Sequence, residues 1–154
     1  MKVLILAVGR PERSPFATLF EDYAQRIRRL GVALDARFVP ATREGKRFTE
    51  EHVREREARA VEAALPGRGR VIALSASGRS LGSETFARRL ERWASPMAAF
   101  VIGGPLGLAP AFRESADDDL SLSPMTFAHE LARVVLVEQI YRAVTILRRV
   151  PYHK

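Results

Sequence analysis

Val3-Leu4-Ile5-Leu6-Ala7-Val8, closed by Gly9-Arg10-Pro11-Glu12-Arg13, sets the fold class. A strand covered on one face alternates apolar with polar side chains. A strand with no polar position is buried on both faces, which is the signature of a parallel sheet between helices. The run is far short of the roughly 20 residues a bilayer span requires. No small-residue cleavage pattern follows it, so it reads as a first strand and not as a signal peptide. No apolar stretch reaches the length of a bilayer span, and a soluble cytoplasmic protein is expected.

Working outward, Pro15 opens a helix to Leu30, with Phe16, Leu19, Phe20, Tyr23 and Ile27 at helical spacing, and Gly31 stops it. Val32–Val39 alternates as a second strand ended by Pro40. Thr42–Arg47 is a polar loop, and Thr49 is the N-cap of a highly charged helix to Leu65, whose near-alternating signs suit a solvated face. Pro66-Gly67-Arg68-Gly69 breaks that helix before a third strand, Arg70–Leu74. A Ser/Gly-rich loop, Ser75–Gly82, leads to a helix over Ser83–Ala94, and Ala98–Ile102 is a fourth strand. The loop Gly103–Gly107, a short helical segment at Pro110–Ser115 and a fifth strand at Asp119–Ser123 follow.

The last helix spans Ala128–Arg149, and Val150-Pro151 ends it. Leu131, Val134, Val135, Leu136, Val137, Ile140, Val144, Ile146 and Leu147 make it apolar on more than one face, which predicts a second packing surface, most simply an isologous dimer interface. Strands alternating with helices throughout predict one α/β domain over 1–154, a mostly parallel sheet flanked by helices.

Composition narrows the function. With 154 residues, 47% hydrophobic and 28% charged, the chain buries a core of its own and is neither disordered nor membrane-embedded. The absence of cysteine excludes disulfides, thiolate metal sites and cysteine nucleophiles. Lys and Arg number 25 against 18 acidic residues, a net charge of +7 that favours a polyanionic partner. Arg133, Arg142, Arg148, Arg149 and Lys154 face the single acid Glu138 in the last 22 residues. That bias suits either a helix complementing its own dipole or an anion-binding edge.

Three segments lie where α/β proteins bind ligands, beyond the carboxyl ends of strands. Ile102-Gly103-Gly104-Pro105-Leu106-Gly107 is neither the dinucleotide fingerprint nor a P-loop. Ser75–Gly82 lacks the nucleophile elbow. Leu120-Ser121-Leu122-Ser123-Pro124-Met125-Thr126-Phe127 is hydroxyl-rich and broken by proline. Loops without charged ligands predict a cleft lined by main-chain groups, suited to an adenine and a sulfonium and not to a triphosphate. His52 is expected at the surface and His129 in the first turn of the last helix. His153 belongs to a terminal tail that base rates call frayed. Asp117-Asp118-Asp119 reads as a solvated loop, and no metal site is expected. A non-catalytic RNA- or ribosome-binding module accounts for the charge but not for the uncharged loops, and a nucleotide switch lacks its phosphate loop.

Phe100–Gly107 (FVIGGPLG), Leu120–Thr126 (LSLSPMT), His129–Ala143 (HELARVVLVEQIYRA) and Pro151–Lys154 (PYHK), with the opening Lys2–Gly9 (KVLILAVG), together resemble the RlmH family. These are SPOUT-class methyltransferases of large-subunit ribosomal RNA, and the resemblance covers essentially the whole chain. It implies a C-terminal deep trefoil knot, an exception to the rule that chains avoid threading. It also implies an obligate homodimer, S-adenosyl-L-methionine at the knot, and methylation at N3 of a pseudouridine in 23S rRNA. By motif match the donor contacts Leu74, Gly103, Leu122, Ser123, Pro124, Met125, Thr126 and Phe127, with Gly104 and Pro105 shaping the wall. Ser75 and Arg79 stand where many members carry an acid and a lysine, so Ser75 stays outside the catalytic set.

On this resemblance, His153 is the expected general base for the weakly acidic N3–H. Tyr152 stacks on the target base and Arg142 holds its carbonyl or a phosphate. His129, Arg133 and Lys154 shape the RNA-facing rim. The tail is expected to order only against a partner subunit or RNA. A charge of +7 is modest for gripping naked RNA, which favours an assembled ribosome as substrate.

Overall fold

The computed structural model describes residues 1–42 and 48–154; of the expected polar loop Thr42–Arg47, residues 43–47 lie outside the described residues. The elements, in chain order, are β1 (Lys2–Val8), α1 (Pro15–Arg29), β2 (Ala33–Val39), α2 (Glu50–Ala64), β3 (Arg70–Ser80), α3 (Ser83–Trp93), β4 (Ala98–Ile102), α4 (Pro110–Ser115), β5 (Asp118–Ser121) and α5 (His129–Leu147). They form a five-stranded sheet in the order β2-β1-β4-β3-β5 with every neighbouring pair parallel.

The all-apolar first strand is divided by the period-2 geometry of a pleated sheet. Val3, Ile5 and Ala7 enter a core with α1, α3 and α5, while Leu4, Leu6 and Val8 enter a second core on the opposite face with α2 and α4. Phe86, Trp93 and Phe100 pack edge-on or tilted within the first core, with ring centroids about 6 Å apart. Helix starts follow their capping signals. Ser14 accepts from the Ala17 N–H at 3.2 Å ahead of Pro15, and Thr49 accepts from the His52 N–H at 3.2 Å.

Three expectations require correction. The segment Ser75–Gly82 is not a free loop, because β3 continues to Ser80. Leu74 and Arg79 both register with Leu120, so residues 75–78 form an excursion that leaves the β3–β5 ladder and returns to it. The fifth strand begins one residue earlier than expected and ends at Ser121. The three aspartates before and within it are not merely solvated. Asp117 holds Arg70 and the Val71 N–H, each at 2.8 Å, Asp118 holds Arg89 at 2.5 Å, and Asp119 holds Arg113 at 2.6 Å. The Val71 N–H and Arg70 hold the Asp117 carboxyl below its ordinary value.

The excursion depends on Gly78. A Cβ there would meet the Asp119 carbonyl oxygen at 2.8 Å and the Leu120 carbonyl carbon at 2.8 Å, both rigid backbone. Gly78→Ala is therefore expected to lower stability by about 1–3 kcal/mol through forced strand separation. Urea denaturation checks this, and an unchanged midpoint with unchanged slope contradicts the close approach.

One residue of the charged helix α2 is buried. Glu57 shares its inward face with Val53 and Val61 and is 4% exposed; its Oε1 accepts from the Thr42 N–H at 2.9 Å and its Oε2 has no partner among the described residues. Burial raises the Glu57 pKa, and the Thr42 hydrogen bond offsets this in part. The folded chain thus holds this proton more tightly than the unfolded chain. Its contribution to stability is greatest in acid and is lost as pH rises past the ordinary carboxylate value towards the raised one. Glu57→Gln cannot ionise, so its melting temperature relative to wild type is expected to improve as pH rises from the ordinary carboxylate value towards neutrality and above. A difference independent of pH would show an ordinarily ionised carboxyl.

Candidate functional site

Because β4, β3 and β5 are adjacent, the segments leaving the carboxyl ends of β4 and β5 converge with the excursion inside β3. They line a cleft of about 600 Å³, within the size range of small-molecule sites. One wall is the turn after β4. Gly107 donates to the Gly104 carbonyl at 2.9 Å, and a Cβ on Gly103 would lie 2.6 Å from the Gly107 carbonyl carbon and 2.8 Å from the Leu108 nitrogen. Glycine is required at 103 because the turn folds back onto its own main chain, leaving backbone edges to face the cleft. Helix α2 braces this turn from outside the sheet. Arg54 Nε donates to the Leu106 carbonyl at 2.9 Å, and the unpartnered Glu57 oxygen lies 3.0 Å from where a Gly104 Cβ would sit.

The second wall is the segment after β5, where Leu122, Ser123, Met125, Thr126 and Phe127 line the cleft and Pro124 does not. Ser123 Oγ accepts from the Met125 N–H at 3.0 Å, and Met125 is 75% exposed. The third is Leu74 with the excursion residues Ser75, Ala76 and Ser77. His129, at the first turn of α5, closes one end. Of the residues expected to hold a methyl donor, the structure brings together Leu74, Gly103, Gly104, Leu122, Ser123, Met125, Thr126 and Phe127. Ser77, from one of the three segments expected to form the cleft, lines it as well, and so do Arg54 and Arg113, which were not anticipated. Arg54 gave no signal, since its helix reads as a solvated face, whereas Arg113 follows the Gly-rich turn within one short helix.

The other expected residues lie elsewhere. Arg133 is not on an exposed rim: it is 3% exposed, and one guanidinium nitrogen donates to the carbonyls of Val8 at 2.8 Å and Gly9 at 2.7 Å. It also stands 5.2 Å from the centroid of Phe38, beside a separate cavity of about 280 Å³ between α1, β2 and α5. Arg142, Tyr152 and His153 cluster at the far end of α5, about 20 Å along the helix axis from His129. Lys154 is exposed beyond them.

The tail is ordered by its own chain, contrary to expectation. The Tyr152 hydroxyl donates to Glu138 Oε1 at 2.9 Å and lies 3.4 Å from the Tyr23 hydroxyl, and its ring packs edge-on against Tyr141 with centroids 4.8 Å apart. Arg142 binds Glu138 Oε1 through Nε at 3.1 Å and a terminal nitrogen at 2.7 Å, and stacks over Tyr152 at 4.8 Å. Its other terminal nitrogen lies 3.4 Å from His153 Nδ1, which as partner of a donor-only group must accept. Burial, then hydrogen bonds to Tyr23 and Glu138, raise the Tyr152 pKa well above an ordinary phenol, so it stays neutral. Glu138 is the hub, which the sequence showed only as the single acid among the terminal basic residues; its further signal was the i,i+4 spacing to Arg142.

Among the described residues no three His, Cys, Asp or Glu converge as metal ligands, and no helix is long and apolar enough to cross a membrane. Compared with known proteins, residues 1–153 match the family described as "Predicted SPOUT methyltransferase". A ribosomal RNA large subunit methyltransferase H from Anaeromyxobacter sp. (strain Fw109-5) is 45% identical over 156 residues, covering 100% of both chains. The protein of that name from Gemmatimonas aurantiaca is 43% identical over 158 residues, again covering 100% of both. Among solved structures, a probable methylase family protein from Haemophilus influenzae Rd KW20 aligns with 99% of this chain and 70% of its own at TM-score 0.55 and 11% identity. A probable methyltransferase from Bordetella pertussis Tohama I aligns with 92% and 95% at TM-score 0.54 and 16% identity. Those two show a shared fold, and the full-length match to the family and its relatives shows more: this chain belongs to the SPOUT methyltransferases.

Proposed function

We propose that the protein transfers a methyl group from S-adenosyl-L-methionine to N3 of a pseudouridine in 23S rRNA, acting on assembled ribosomes as a homodimer. The observation that carries this is the cleft after β4, with its main-chain wall at Gly103–Leu108. Backbone donors and acceptors suit the edge of an adenine, and the loops bring no free cation cluster of the kind a triphosphate needs. S-adenosyl-L-methionine supplies an electrophilic methyl group on its sulfonium. Leu74, Gly103, Gly104, Leu122, Ser123, Met125, Thr126 and Phe127 hold it. The knot belongs to the same proposal, supported by SPOUT membership and by the way residues 122–127 lie against the other two loops before α5 begins.

The tail supplies the chemistry at the acceptor. Glu138 fixes both Arg142 and Tyr152, so a charged guanidinium and a neutral phenol are presented together. Arg142 stabilises the anion left when N3 loses its proton. His153 takes that proton, its 3.4 Å contact to Arg142 being long enough to yield to a stronger partner. Since Arg142 lies about 20 Å along α5 from His129 at the cleft, one copy's tail serves the other copy's cleft. Leu131 and Val135 support the dimer: they sit on one face of α5, half-buried and outside both core clusters, in line with Glu138 and Arg142.

Two measurements test this. Ribosomes incubated with methyl-labelled donor should acquire the label on N3 of a pseudouridine, located by nucleoside mass spectrometry; unlabelled rRNA, or label on another atom, overturns the assignment. Removing Tyr152–Lys154 is expected to lower the transfer rate by at least about 100-fold while donor affinity stays within about twofold. Full activity after truncation removes the tail from the chemistry.

A further inference from the structure

We propose that the excursion 75–78 is a recognition element for a vicinal diol, the ribose of the methyl donor, with Ser75 accepting from one hydroxyl and Ser77 donating to the other. This rests on the donor reading above and adds a subsite to it. Four consecutive residues of the excursion are pinned individually. Ser75 Oγ donates to Asp119 Oδ1 at 2.7 Å, the Ala76 carbonyl accepts from the buried Ser121 hydroxyl at 3.0 Å, Ser77 Oγ accepts from Arg113 at 2.8 Å, and Gly78 packs on the main chain of Asp119 and Leu120. A loop with no task beyond connecting strands has no need of such fixation, whereas a recognition surface gains affinity from it.

The hydrogen-bond directions follow from the partners. Asp119 is bound to Arg113 through two nitrogens, at 3.0 and 2.6 Å, so it is an ionised acceptor and the Ser75 proton points to it. What Ser75 retains for the cleft is acceptor capacity. Arg113 has only donors, so Ser77 receives a proton from it and keeps its own O–H to give. One acceptor and one donor, two residues apart on an extended segment, match a vicinal diol, in which one hydroxyl donates and its neighbour accepts. Ser75, Ser77 and Arg113 all line the cleft. The Arg113 and Asp119 charges are paired with each other, so this wall offers hydroxyls and no free charge, which favours a neutral sugar over the carboxylate or ammonium end of the donor.

Calorimetry with S-adenosylhomocysteine and its 3′-deoxy and 2′-deoxy analogues tests the proposal on the full-length protein. Wild type should bind the full ribose about 5- to 10-fold tighter than the better of the two deoxy analogues. Ser75→Ala and Ser77→Ala should each lose a similar factor with the full ribose and almost none with the analogue lacking the hydroxyl they serve. Equal losses with all three ligands, or no loss, overturn the diol assignment while leaving the donor cleft intact. Failure of wild type to bind S-adenosylhomocysteine overturns both.

Discussion

The main-chain contact at Gly103 governs how this protein can bind anything. Beyond Ile102 the chain must turn sharply enough that the Gly107 carbonyl carbon comes within 2.6 Å of the place a Cβ would occupy. Any side chain there would push the 104–107 turn away from the end of β4, and the cleft would lose its backbone wall. The neighbouring strands then determine what else reaches it: β3 contributes the excursion and β5 the segment 122–127. Helix α2 fixes the turn from the other side through Arg54 and Glu57. Rigidity of this kind is what a main-chain site needs, because backbone groups cannot change rotamer to find a ligand.

Two buried ionisable side chains show that the fold tolerates cost near this end of the sheet. Arg133 is almost fully enclosed, with its Nε and one terminal nitrogen lacking partners among the described residues; burial lowers its pKa and Glu130 opposes that. Glu57 is the counterpart on the other face of the sheet. Buried polar and ionisable groups are seldom retained for net stability, since well-packed apolar replacements often do as well. What both side chains do is hold backbone: Arg133 takes the carbonyls where β1 ends, and Glu57 takes the Thr42 N–H beyond β2. They position chain where the regular ladder has stopped and no strand partner is left to do so.

The elements were legible where a single physical pattern decided them. The unbroken apolar run of β1, the helical spacing in α1 after Pro15 and the cap at Thr49 each express local rules, and the structure follows them within a residue or two. The cleft was legible too, because glycine and proline after apolar strands mark places where backbone turns outward. Tertiary pairing was not. Ser75–Ser80 is Ser/Gly-rich and reads as a loop, yet β5 offers it a ladder and Gly78 the clearance to rejoin it. The aspartate triplet reads as solvated until arginines from three different elements meet it. Arg133 sits among charged and apolar neighbours in a pattern that cannot show which carbonyls lie 125 positions earlier in the chain.

The tail departs furthest from what its sequence suggests, and the reason is aromatic. Pro151-Tyr152-His153-Lys154 is four residues long and terminal, a poor candidate for order, but Tyr152 inserts among Tyr23, Tyr141, Arg142 and Glu138. Each contact is weak on its own; together they hold one ring from the edge, the face and the hydroxyl, so the ring gives up its freedom once for several returns. The same ordering sets a distance. Helix α5 carries His129 of the cleft at its first turn, and the tail packs on Glu138, Tyr141 and Arg142 in its second half. The proposed pairing of one copy's tail with another copy's cleft bridges that separation, and the half-buried apolar face at Leu131 and Val135 that supports it lies on the same helix.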